Sequence, residues 1–234
     1  MNPETHPDLQ PIFNFISYGR LEAPLWFLGL EEGLGKRYKA DHWSPAWELE
    51  TRAAWPPVID MRQAHETLLD PYWDSGKYSQ VWLVMAQLAR GILQRAADWH
   101  DPDKARVYVT ESLGRAGGET LLGEMLPLPE RYRRHWSYPF LFPSKEDYEW
   151  AILPQRRALW RRLVEEHRPR VVICYGGLWY RYKDVFAKDG WQAFPGTDVQ
   201  TVVFAGKTQV FLTPFLGRED FREKLERVIT HFQQ

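Results

Sequence analysis

The 234 residues carry 30 basic and 31 acidic side chains, so global charge gives no support for a nucleic-acid partner. A content of 44% hydrophobic and 26% charged residues excludes a disordered chain, and the single cysteine, Cys174, inside the apolar run RVVICYGG, excludes a cysteine-held metal. The start, MNPETHPDLQ, has neither the basic nor the apolar segment of a signal peptide, and no later run is long enough to span a bilayer, so the expectation is a cytoplasmic chain with no membrane partner. No linker or charge block divides residues 1–234, which are therefore read as one domain.

Pro11 to Arg20 (PIFNFISYGR) predicts a short helix, broken by Pro24 ahead of LWFLGL. That run is apolar on both faces, as a buried parallel strand requires. The polar, glycine-bearing EEGLGKRYKADHW is then expected as a loop at the strand's carboxyl end. Residues 41–74 are rich in Trp and Pro without a sustained period and read as an irregular insertion. From Gln80 to Trp99, apolar residues at Val81, Val84, Met85, Leu88, Ile92 and Leu93 predict an amphipathic helix. ARVYVTE reads as a second strand, GRAGGE as a turn, and ETLLGEML as a short helix stopped by PLP. Ser144 with Asp147 forms a capping box for a long helix to about Arg168, bent at Pro154. RVVICYG is a third strand, turned by Gly176 and Gly177 into the helix LWYRYKDVFA. TVVF and TQVFLT predict two more strands, and REDFREKLERVITHF a closing amphipathic helix. This order predicts an α/β fold, a three-layer α/β/α sandwich around a mostly parallel sheet.

Ligands of such sheets bind beyond the carboxyl ends of the strands. The expected site is therefore Glu31-Glu32-Gly33, Glu111-Ser112, Gly176-Gly177 and Thr213-Pro214-Phe215. Adjacent carboxylates in a tight loop point apart, so one of Glu31 and Glu32 faces the cleft. Gly33 and Gly35 let backbone approach a ligand. The basic groups Arg131, Arg133, Arg134, His135 and Arg156, Arg157, Arg161, Arg162 read as solvated helix faces first and as phosphate-facing patches second. Most of the twelve tryptophans read as packing, a minority as stacking platforms. No P-loop, dinucleotide fingerprint, nucleophile elbow or zinc-helix motif is present.

The run LWFLGLEEG resembles the first motif of the uracil-DNA glycosylase superfamily, a strand ending in Gly-x-Asp-Pro or a variant of it, here Gly29-Leu30-Glu31-Glu32-Gly33. VYVTE is similar to the second strand, PRVVICYGG to the third, and QVFLTPFLGRE to the strand and loop of the second motif. Glu32 replaces the motif proline, Glu111 the base-reading asparagine, and Thr213-Pro214-Phe215 lacks the motif histidine. The resemblance implies a uracil-DNA-glycosylase-like fold and a monofunctional DNA glycosylase in which Glu31 orients water. It implies a base pocket of Glu111, Tyr108 and Leu30, with Gly33, Gly176, Gly177, Thr213 and Arg218 on the phosphate or leaving-group side. Without the histidine, the departing base is stabilised by backbone amides near Gly217 or by Arg218. A carboxylate at Glu111 accepts from the amine of a cytosine-type base. The implied substrate is accordingly a modified cytosine, such as the glucosylated hydroxymethylcytosine of phage DNA excised by one branch of the superfamily. A sugar on the base would lie against rings of the 41–74 segment. DNA with a flipped base is the implied partner of a monomer that uses no cofactor and no metal. A repair enzyme for uracil or another deaminated base, a non-catalytic nucleic-acid-binding module, and an enzyme acting on free nucleosides are the competing readings.

Overall fold

The structure, a computed structural model, describes residues 13–70, 73, 76–132, 134–176, 180–187, 189–218 and 222–233. Eight strands, β1 (Ser17–Gly19), β2 (Leu25–Gly33), β3 (Val58–Ile59), β4 (Thr120–Glu130), β5 (Val171–Tyr175), β6 (Gln192–Ala193), β7 (Gln200–Phe204) and β8 (Thr208–Thr213), form one sheet. Their order is β3-β1-β4-β2-β5-β8-β7-β6. The four central strands β4-β2-β5-β8 run parallel, whereas β1 lies antiparallel to β4 and β7 antiparallel to β8. The helices are α1 (Pro45–Ala53), α2 (Met61–Thr67), α3 (Gln80–Ile92), α4 (Pro102–Glu111), α5 (Lys145–His167), α6 (Tyr180–Phe186) and α7 (Arg222–Gln233). None among the described residues is long and apolar enough to cross a membrane.

The double-sided apolarity of β2 explains its central place. Leu25 and Phe27 enter a core shared with Leu88 of α3, Ala105 of α4 and Val228 of α7. Trp26 and Leu28 enter a second core with Tyr148, Ile152 and Trp160 of α5 and Val185 of α6. The sheet thus has a hydrophobic core on each face, the α/β arrangement expected. Gly123 of β4 makes room for α5, since a Cβ there would stand 2.1 Å from the Trp160 ring.

Several expectations are corrected. The segment expected as a helix over 11–20 holds β1 at 17–19, and Glu31-Glu32-Gly33 belongs to β2 and not to a loop. The 41–74 segment is ordered into α1, β3 and α2. Ser44 caps α1 by accepting from the Trp47 N–H, with Pro45 at the first helical position. ARVYVTE is helical, because Asp101 caps α4 by accepting from the N–H groups of Asp103 and Lys104, and Pro102 pre-sets the first turn. Conversely ETLLGEML is part of strand β4. Its apolar residues Leu121, Leu122, Met125 and Leu126 mimic a helical period while filling the two faces of a buried strand. Pro127 and Pro129 are tolerated there because they fall between the Leu126 and Glu130 pairings to β2, where the ladder slips, and beyond the residues that pair with β1. The expected helix over 80–99 stops at Ile92. The long helix opens at Ser144 as read and runs uninterrupted through Pro154. Arg156 belongs neither to a solvated face nor to a phosphate patch. It is buried and donates to the carbonyls of Phe13, Phe15 and Glu124 at 3.2, 2.7 and 2.6 Å.

Candidate functional site at the carboxyl ends of the parallel strands

Register makes the site. β2 and β4 pair evenly from Leu25–Thr120 to Glu31–Leu126, then slip so that Gly33 meets Glu130. Such a slip re-aims the side chains beside it. Leu30 packs on the α5 face, Glu31 also reaches α5, and Glu32 reaches the opposite layer. The two adjacent carboxylates therefore part, as expected.

Glu31 meets Lys145, the first residue of α5, whose Nζ lies 2.8 Å from Oε1 and 2.7 Å from Oε2. Both side chains are nearly buried. Burial raises the Glu31 pKa above the ordinary carboxylate value and the Lys145 ammonium opposes the rise.

Glu32 is an anion held on every side. It accepts from Tyr18 Oη at 2.6 Å, from Arg37 at 2.9 Å and from Arg52 at 2.8 Å. Burial alone would raise its pKa, but the Arg52 and Arg37 guanidiniums outweigh that and hold it well below the carboxylate range. Glu48 of α1, fully buried, accepts from Arg52 at 2.8 Å and from the Trp43 indole at 3.0 Å. This network fastens residues 37–52 to the sheet.

Glu124 of β4 stands opposite Gly29 of β2 in register. Its Oε1 accepts from Tyr175 Oη at 3.1 Å, and its buried Oε2 has no hydrogen-bond partner among the described residues. Burial, then the Glu32 carboxylate, push its pKa well above the ordinary value, with the Tyr175 hydrogen bond opposing and Glu31 adding to the rise. Glycine at 29 leaves room for this pair, because a Cβ would lie 2.1 Å from Glu124 Oε2 and 2.6 Å from Tyr175 Oη and would displace them. The carboxyl end of the central strands thus presents one fixed anion, Glu32, one lysine-bound carboxylate, Glu31, and one acid driven toward its neutral form, Glu124. Neighbouring carboxylates pushed to different protonation states are the pattern of acid–base sites.

Of the other expected residues, Gly176, Thr213 and Arg218 come together around a cavity of about 520 Å³ beside the ends of β5 and β8. Gly176 has φ 129°, with nothing within 4 Å of where a Cβ would be. Gly33 is exposed at the tip of β2. Leu30 is half-buried against the α5 core, so it backs the site without facing a base. Gly177 and Arg133 lie outside the described residues. A larger cavity, about 1400 Å³, surrounds the outer sheet edge at β7 and α7 and holds none of these residues.

Glu111 and Tyr108 are corrections. Both lie on α4, and the chain between them and β4 enters that strand at its amino end, where Thr120 pairs with Leu25. Tyr108 is buried in the core and feels the Glu119 carboxylate, which raises its pKa after burial does, while Glu111 is exposed on the last turn. They are at the opposite end of the sheet from Glu31. Trp55 and Trp73 of the expected sugar-lining segment are core residues, whereas Trp43 is half-buried beside Arg131, whose guanidinium stands 5.6 Å from its ring.

Reading by pattern missed Glu124, Lys145 and Tyr175. The missed signal was Asp101-Pro102, which marks a helix start ahead of ARVYVTE. Among the described residues, no group of three or more His, Cys, Asp or Glu is arranged to hold a metal ion. No protein-family model matches the chain, and no curated protein matches it.

Proposed function

We propose that the chain is a monofunctional DNA glycosylase that hydrolyses the N-glycosidic bond of a flipped base, a modified cytosine in foreign DNA. The observation that carries this reading is the pair of acids Glu31 and Glu124 on the adjacent parallel strands β2 and β4. The segments that resemble the family's first and third strands, β2 and β5, lie side by side, and β8, which bears the second-motif position, is next to β5. β4 takes the second-strand place that VYVTE was expected to fill, and Glu124 takes the role expected of Glu111.

In this reading the bond from C1′ to the base nitrogen breaks with its electron pair going to the base. Water adds its oxygen to C1′, and Glu31 accepts the water proton and balances the positive charge of the sugar. Glu124, in its neutral form, gives its proton to the leaving base, so the products are an abasic sugar and the free base. A neutral carboxyl both donates and accepts, which matches the N3 and amine edge of cytosine. Tyr175 positions the Glu124 carboxyl.

Support for a DNA partner comes from the loops that continue β2 and β4. The Arg131 guanidinium stacks 4.4 Å above the Tyr38 ring, and Tyr132 and Phe140 expose 64% and 59% of their surface. Cationic and aromatic groups beside a cleft suit phosphates and unstacked bases.

The test is incubation of duplexes carrying uracil, hypoxanthine, hydroxymethylcytosine or its glucosylated form, followed by alkaline cleavage at abasic sites. Glu31→Gln is expected to lower excision by about a hundredfold or more, read beside its unfolding midpoint because the substitution also leaves Lys145 without its partner. Absence of abasic product on every duplex overturns the reading. A second reading, a non-catalytic nucleic-acid-binding module, is favoured by Lys145 engaging both oxygens of Glu31. It predicts salt-dependent DNA binding unchanged by Glu31→Gln and no base release.

A further inference from the structure

Helix α5 lays one face on the sheet, and that face carries two buried cations, Lys145 and Arg156, about three turns apart along the same side as Tyr148, Ile152 and Trp160. Each cation goes to a different acid. Lys145 meets the Glu31 carboxylate directly, at 2.8 and 2.7 Å. Arg156 meets Glu124 through the main chain. Its Nη2 donates to the Glu124 carbonyl at 2.6 Å, and the Trp160 indole donates to the same oxygen at 3.2 Å.

A guanidinium buried without a carboxylate is costly. Arg156 is 2% exposed, its Nη1 donates to the carbonyls of Phe13 and Phe15, its Nε is buried with no hydrogen-bond partner, and among the described residues it forms no ion pair. Burial pushes its pKa down to about 10, with the Tyr148 hydroxyl and the Glu124 carboxyl opposing. The groups that act most on Glu124 are Glu32 and Glu31 of β2, Tyr175 of β5 and Arg156 of α5, and Arg156 is the cation among them. The other cations nearby are already engaged: Lys145 by Glu31, and Arg37 and Arg52 by Glu32 and Glu48. When Glu124 gives its proton to the leaving base it becomes a third carboxylate beside Glu31 and Glu32. A neutral donor could satisfy the Glu124 carbonyl, as the Trp160 indole does, but only a charge offsets that anion.

We infer that Arg156 is a positioning residue for proton donation, holding β4 at Glu124 and supplying the counter-charge for the carboxylate left when the Glu124 proton moves to the departing base. The inference rests on the glycosylase reading for the destination of the proton, and on the geometry alone for the coupling of the two groups.

The experiment has two readouts, and the first needs no substrate. The side-chain carboxyl carbon resonance of Glu124, identified by its loss in Glu124→Gln, is followed against pH in wild-type, Arg156→Gln and Trp160→Phe protein. Arg156→Gln keeps an N–H donor and removes the charge, and is expected to move the Glu124 titration up by about one pH unit or more. Trp160→Phe removes a donor to the same carbonyl and keeps the charge, and is expected to leave the titration in place. Should Arg156→Gln fail to fold, the guanidinium carbon of Arg156 is read in wild-type protein, where it should shift with the Glu124 midpoint and lose that step in Glu124→Gln. The second readout is excision against pH. Its alkaline limb should rise in Arg156→Gln together with a lower plateau, because a weaker acid keeps its proton longer and gives it up less readily, and Arg156→Lys should return both toward wild type. A Glu124 titration indifferent to Arg156→Gln, one moved equally by Trp160→Phe, or an Arg156 resonance without the shared step overturns the inference and leaves Arg156 a brace for the backbone. Coupled titration with no excision of any base sustains the pairing of charges and removes the glycosylase reading.

Discussion

Glu32 and Glu124 both lie toward the carboxyl end of the parallel strands and are both withdrawn from water, yet their surroundings drive them in opposite directions. Around Glu32 two buried arginines and the Tyr18 hydroxyl satisfy both oxygens, and the group stays ionised far below the usual range. Around Glu124 the side-chain donor among the described residues is Tyr175, and burial with the Glu32 and Glu31 carboxylates outweighs that hydrogen bond and the Arg156 guanidinium, so the pKa is pushed up. Burial sets the size of the electrostatic stakes, and the partners set the sign. One region is therefore a structural clamp and the other a chemically poised acid.

The largest expected effect comes from breaking the clamp. Arg52→Met leaves Glu48 and Glu32 with only one, Arg37, of the two cations they share, and a half-broken buried ion network costs about 3–5 kcal/mol, measurable as a lower midpoint in chemical denaturation. A loss below about 1 kcal/mol would mean that Arg37 and Tyr18 suffice, and the contrast with Glu124 would weaken.

Gly29→Ala attacks the other region. Its methyl group would overlap the Glu124–Tyr175 pair, and overpacking of this kind costs roughly 1–3 kcal/mol. Combining it with Glu124→Ala should recover most of that loss in a double-mutant cycle. Additive losses would show that the crowding lies elsewhere.

The two carboxylates also separate by pH. Glu124 has a folded pKa raised above its unfolded value of 4.5, so its contribution to stability is full below about pH 4.5 and is lost as pH rises through the folded value. Glu124→Gln should remove that decline, raising Tm relative to wild type at neutral pH and leaving it nearly level at pH 4. Glu32 behaves oppositely. Its lowered pKa gives stability present above the unfolded value and lost as pH falls toward the folded one, so Glu32→Gln should lose Tm at neutral pH and flatten the acid limb. Parallel pH profiles for the two variants would refute the assignment of opposite protonation states.

The smallest effect is expected at Glu111. Exposed on the last turn of α4 at the far end of the sheet, it should tolerate Ala within about 0.5 kcal/mol, with base preference unchanged in the excision assay. A changed preference would place it in the site after all.

How much was legible in advance follows from how local each signal is. β2, β5, β7, β8, α5 and α7 were readable because apolar runs and the Ser144 cap are written within a few residues. Glu31 and the cavity residues Gly176 and Thr213 followed from the rule that α/β sites lie beyond strand ends, and Arg218 from the resemblance. The exchange of helix and strand between 102–111 and 120–130 was the costly error, because it put Glu111 on a strand of the sheet and Glu124 on a helix.

By itself, then, the sequence determined an α/β chain with its parallel strands, a carboxylate at the end of the first of them, and Cys174 as a core residue whose thiol pKa burial pushes up. Tertiary structure alone decided that TLLGEML is a strand, since its period suits a helix and only burial between β1 and β2 on both faces makes the extended form better. It alone decided that Glu31 meets Lys145 across 114 positions of sequence and Glu124 meets Tyr175 across 51. Protonation states depend on which charges stand within a few ångströms after folding, and distances of that kind are not encoded in any local window of residues.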